Sequence, residues 1–170
     1  MPKRITQYTV KNVKTFRGME GPGYNANLYR NRKKVAQVDD DAQGGPLRYH
    51  WLDYASPRVP LTIINHEGKP WEMKVTPEEK LFIAHVRAHT KERFEPEDMF
   101  VHNLVDGVLE DRQYKKWCRT KVCFRLKKHA DGEWATIKGK YNAAYRRHLQ
   151  SKYGDDLVEI LNERFTKETA

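Results

Sequence analysis

Four residues near the middle of the chain, Thr76-Pro77-Glu78-Glu79, separate two hydrophobic periods. Threonine is a preferred helix N-cap and proline fits the first helical position without losing a hydrogen bond. The two acids suit the positive end of the helix dipole. After this signal the apolar residues follow helical spacing; before it they alternate. The spacing predicts one helix from Pro77 to about His89 and a second from about Pro96 to Cys118, the latter carrying Val101, Leu104, Val105 and Val108. The second stripe does not hold its phase, because Phe100, Tyr114, Trp117 and Cys118 fall on another side. Such a helix is either buried on two sides or slips near Asp111.

Upstream, Tyr24, Ala26 and Leu28 alternate with polar neighbours, Asn31-Arg32-Lys33 makes a turn, and Val35 to Val38 returns. Leu47, Tyr49 and Trp51 alternate in turn after the Asp39 to Pro46 stretch, so residues 5–53 read as an antiparallel meander of three or four strands. Pro57, Pro60, Gly68 and Pro70 make residues 54–75 an irregular connector with one short strand at Leu61 to Ile64. Downstream, Val122, Phe124 and Leu126 alternate with Cys123, Arg125 and Lys127. Asp131-Gly132 turns the chain, and residues 133–140 come back as the second arm of a hairpin. Asn142 caps a helix that Gly154 stops, Leu157 to Leu161 add a final strand, and residues 166–170 form a frayed tail. The expectation is a single α+β domain over 1–170: an N-terminal antiparallel meander, two central helices, then a hairpin, a helix and a last strand.

Charge is the strongest functional signal. Thirty-two Lys and Arg face twenty-three Asp and Glu, a net of +9. Residues 112–152 hold thirteen cations and only two acids, so the remainder is slightly acidic. Clustered cations attract polyanions and release their counterions on contact. If Val122, Phe124 and Leu126 are buried, the opposite face of that strand presents Lys121, Arg125 and Lys127 to water. Lys138, Lys140, Arg146 and Arg147 extend the row, and Trp134 or Tyr141 can stack on an unpaired base. No apolar run reaches membrane-spanning length and the start does not read as a secretory signal, so a cytoplasmic protein with no membrane partner is expected.

Other chemistry is weaker. The two cysteines, Cys118 and Cys123, are expected as reduced thiols. His85 and His89 stand one helical turn apart and could join those cysteines around zinc, although H-E-x-x-H is absent because Val86 follows His85. Asp39, Asp40 and Asp41 with His50 and Asp53 could serve a divalent cation, or simply build a tight turn. Gly18 to Gly23 lacks the lysine and the following helix of a phosphate loop. No catalytic residue and no cofactor is assigned on these grounds.

Phe16-Arg17-Gly18 through Tyr29, the Asp39 to Trp51 segment, Cys118-Arg119-Thr120-Lys121 to Leu126 and the closing Ile160-Leu161-Asn162-Glu163 together resemble an uncharacterised family of small bacteriophage and bacterial proteins. That resemblance implies handling of nucleic acid or blocking of a host defence system inside a bacterial cell. The expected function is accordingly a basic accessory protein that binds nucleic acid. Its rivals are an inhibitor that covers a host protein or nucleoprotein complex, and a protein that sequesters a nucleotide signal.

Overall fold

The computed structural model describes residues 7–166. Strands β1 (Tyr8–Arg17), β2 (Pro22–Arg30), β3 (Lys33–Asp40) and β4 (Arg48–Trp51) form an antiparallel sheet in chain order. Tyr8 and Val10 are buried on one parity of β1 and Val13 on the other. A bulge reconciles them: Asn12 takes φ 54° and the register against β2 shifts between Lys11 and Lys14, which turns Val13 inward. Asn31 and Arg32 both take positive φ, 47° and 71°, as a two-residue hairpin requires.

Helix α1 (Pro77–His89) begins as the tetrad predicts. The Thr76 hydroxyl accepts from the Glu79 amide and the Glu79 carboxylate accepts from the Thr76 amide, while Asp53 takes the Glu78 amide at 2.9 Å. Arg30 of β2 clamps Glu78 with two bonds of 2.5 and 2.8 Å. The buried face of α1 meets the sheet through Phe82, whose ring lies 5.2–5.8 Å from those of Tyr8, Tyr49 and Trp51. Helix α2 (Pro96–Cys118) adds Phe100 against Tyr8 and His102 against Tyr24.

Residues 54–75 depart from the expected connector. Strands β5 (Val59–Ile64) and β6 (Pro70–Val75) pair over their whole length as an antiparallel hairpin. Proline suppresses strand assignment from sequence, yet Pro70 opens its strand and Pro60 sits in a two-stranded ribbon whose outer edges need no ladder bonds. The turn is organised by Asn65, whose side-chain oxygen accepts from the amides of Glu67 and Lys69, with Gly68 at φ 80°.

Strands β7 (Lys121–Leu126), β8 (Ala135–Lys138) and β9 (Leu157–Ile160) form a second antiparallel sheet in the order β8-β7-β9. Helix α3 (Ala143–Tyr153) is capped by Asn142 and ends at Gly154, both as expected. It covers one face, where Leu149 packs with Val122, Phe124, Leu126 and Ile160. The other face carries Tyr114 of α2 against Cys123 and Leu161, flanked by Trp117, Trp134 and Phe165. Helix α4 (Asn162–Thr166) has no counterpart in the sequence expectation, which begins its frayed tail at 166; residues 167–170 lie outside those described.

The fold is α+β, as the alternating and helical periods require. The chain divides into two compact units, Met1–Val108 and Leu109–Ala170, and the division falls inside α2. This explains the two faces of that helix: Val101 and Val105 are buried in the first unit, Tyr114 in the second. No helix among the described residues is long and apolar enough to cross a membrane.

Candidate nucleic-acid interface

The row of cations expected along β7 is interrupted. Cys123, between Lys121 and Arg125 on that face, is fully buried, because Tyr114 and Leu161 cover it. Arg125 is correspondingly withdrawn: its side chain is 21% exposed, its Nη1 donates to Asp131 at 2.5 Å, and it stands opposite Glu159 of β9. Glu159 is itself held by two bonds from Arg164, and that guanidinium keeps its carboxyl below the usual range. Lys127 is exposed but lies beyond the end of β7, about 20 Å along the strand from Lys121 at ~3.3 Å per residue.

Trp134 is not a free stacking platform. Its ring is half-buried, edge-on to Tyr114 at 5.7 Å and beneath the Arg164 guanidinium at 5.4 Å. On α3, Arg146 is exposed with its Nε 3.4 Å from Glu163, and Arg147 is exposed beside it.

What converges is one end of the second unit. Lys121 and Lys138 are direct cross-strand partners, and the Gly139 amide donates to the Thr120 carbonyl, bringing Lys140 beside the last turn of α2. There Lys115, Arg119 and Lys140 line a cleft of about 570 Å³, whose walls include Tyr141, Asn162 and Phe165. Lys115 sits 5.3 Å over the Phe165 ring. Like charges placed opposite one another on strands destabilise a sheet, so a Lys121–Lys138 pair is tolerable only with solvent or an anion beside it. Among the described residues no acid pairs with Arg119, Lys121, Lys138 or Lys140. Lys115 and Arg119 escape a reading based on strand alternation because they belong to the last turn of α2 and to the turn that follows it. Their spacing of four, at the helix end where cations are favoured, is the signal that could have found them.

Asn162 holds this end together. It is 3% exposed; its side-chain oxygen accepts from the Cys123 amide at 2.8 Å, and its amide donates to the carbonyls of Lys121 at 2.9 Å and Cys118 at 3.3 Å. The α2–β7 connection is thereby fixed to α4. Tyr141 donates its hydroxyl to Glu163, and burial together with that bond pushes its pKa up to about 12.

The candidate metal ligands do not assemble. The His89 Nδ1 donates to the His85 carbonyl at 2.7 Å, the His85 Nδ1 lies 3.1 Å from Gln7, and burial lowers the pKa of His85. Among the described residues no group of three or more His, Cys, Asp or Glu could hold a metal ion. The acids near β4 are likewise occupied: Asp39 faces His50 at 2.8 Å, Asp40 and Asp41 accept the amides of Ala42 and Gln43, and Asp41 also meets Arg48.

Both cysteines are free thiols, and burial pushes Cys118 up to about 12 and Cys123 upward as well. Since only a thiolate attacks alkylating agents or binds metal readily, neither should react near neutrality. Iodoacetamide at pH 8 is expected to leave the folded chain unlabelled by intact mass over a time in which the urea-unfolded chain takes two labels. Rapid labelling of Cys118, which is only partly buried, would contradict a thiol held in its protonated form.

Compared with models of known families, with curated proteins and with solved structures, the chain has no match. The likeness to small phage and bacterial proteins is therefore without support, and the function of this end of the molecule has to be read from its own side chains.

Proposed function

We propose that the second unit binds the phosphate backbone of nucleic acid at its cationic end. The observation that supports this reading is the gathering of Lys115, Arg119 and Lys140 around an open cleft, with the Lys121–Lys138 pair alongside and two aromatic rings in its walls. Cations in that arrangement follow a strand of phosphates, and Tyr141 and Phe165 offer apolar surface to sugars or unstacked bases. Arg125 and Arg146, engaged with acids, contribute less than their sequence positions suggest. Catalysis forms no part of the reading.

The test is electrostatic. With roughly five contacts, the slope of log affinity against log salt should be about −3 to −4 on single strands. Reversing Lys138 and Lys140 to glutamate should weaken binding at least tenfold and flatten that slope by about one to two. Reversing Lys127 and Lys128, which are exposed at the other end of β7, should change affinity by no more than about threefold. Equal losses from the two reversals would reduce the effect to net charge and remove the site.

A further inference from the structure

The first unit contains a second cavity that the cationic end does not share. It has a volume of about 370 Å³, at the small end of the range for small-molecule sites. Its floor is aromatic: Tyr49 and Trp51 lie with ring planes only 7° apart and centroids 5.8 Å apart, and Phe82 tilts beneath both. One wall is the inner face of the β5–β6 hairpin, where Trp71 stands directly opposite Ile63 with Met73 two residues further on.

Two large aromatic side chains of the lining remain in water. Trp71 is 57% exposed and Phe94 65% exposed, and the latter is braced by the edge of His66 at 6.2 Å. Exposed aromatic surface gathered at the mouth of an apolar cavity is what a ring-binding site has before it is filled. The charges there say what kind of ring. Arg87 is consumed by Glu97 at 2.7 Å and by the Ile64 carbonyl, and Glu79 by the cap of α1. Arg93 and Glu95 also line the cavity, and neither enters an ion pair among the described residues. One uncommitted donor fork and one uncommitted acceptor leave the mouth electrically neutral. They match a planar ring whose edge carries both acceptors and donors, and they disfavour a ligand of high charge.

We propose that this cavity binds a single nucleobase-sized heteroaromatic ring. The ring stacks against Trp71 and Phe94 over the aromatic floor, and its polar edge is read by Arg93 and Glu95. The same chemistry could come from a free nucleoside or from an unpaired base within a strand. The site belongs to the first unit alone, so it can fail while the cationic end stands, and the reverse.

Calorimetric titration of the full chain with the common nucleosides, with indole, and with a short single-stranded oligonucleotide tests it. At least one nucleoside should saturate the protein at millimolar concentration or below. Trp71→Ala should weaken it roughly tenfold, as loss of one stacking platform does. Arg93→Ala should weaken the nucleoside while leaving indole unchanged. Phe94→Ala, on a largely exposed side chain, should weaken binding with no change in the unfolding midpoint, which separates loss of the site from loss of the fold. Tighter binding of the oligonucleotide, still sensitive to Trp71→Ala but not to glutamate at Lys138 and Lys140, assigns the ring to a base in a strand; equal or weaker binding assigns it to a free nucleoside. Absence of saturation by every nucleoside, or affinities unmoved in Trp71→Ala, would overturn the proposal.

Discussion

Asn162→Leu should lower the stability of the second unit by about 3 kcal/mol, more than any other single polar substitution there. The side chain is buried and makes three hydrogen bonds to backbone groups at the α2–β7 connection. Leucine has comparable size but leaves the Cys123 amide and the Lys121 carbonyl without partners, and each buried orphan costs about 1–3 kcal/mol. Asn162→Asp should fare little better, since it keeps the acceptor for Cys123 and turns a carboxylate toward two carbonyls. The measurement is amide hydrogen exchange with urea unfolding: the Cys123 amide should pass from among the slowest of its unit to fast exchange. An unchanged midpoint and a still-protected Cys123 amide would show that the bridge is incidental.

Phe82→Ala should cost about 3–5 kcal/mol in the first unit, the usual range for truncating a buried phenylalanine. Phe82 is 1% exposed and its ring touches four others, those of Tyr8, Tyr49, Trp51 and Phe100. Those rings come from β1, β4 and α2, so no neighbour can collapse into the space without breaking a second contact. Phe82→Leu, which refills most of the volume, should cost about a third as much, and near-ultraviolet circular dichroism should report the altered aromatic packing. A loss below about 1 kcal/mol in Phe82→Ala would mean the cluster repacks freely.

Local chemistry made much of this fold legible. Thr76-Pro77-Glu78-Glu79 set the start of α1, Asn142 and Gly154 bounded α3, alternation placed β2, and the turn after it returned the chain as β3, because each signal acts through its own few residues. The failures have a common origin in two-sided burial and long-range pairing. Val122-Cys123-Phe124 is a run of three buried residues, the mark of a strand covered on both faces, but counting cysteine as a polar member of an alternation hid it. Once Cys123 faces inward, Arg125 cannot belong to a continuous exposed row. Which cations meet depends on the register of Lys121 against Lys138 and on how Asn162 ties down the end of α2, and neither follows from spacing. The hairpin of β5 and β6 was masked by its prolines, and with it the wall that carries Trp71.

The division between the two units within α2 has a practical meaning for anyone who wishes to isolate them. A protease needs several residues of extended backbone, and an unbroken run of helical hydrogen bonds from Pro96 to Cys118 denies it that at the boundary. The exposed residues 91–94 just upstream are the natural place to nick. A fragment beginning there would carry Val101 and Val105 into water as an orphaned apolar stripe, whereas a break at Val108 would leave Tyr114 with Cys123 and Leu161 but cut α2 in mid-helix. The half that begins at residues 91–94 should therefore be sticky when made alone, and a boundary at Val108 is the better place to divide the chain.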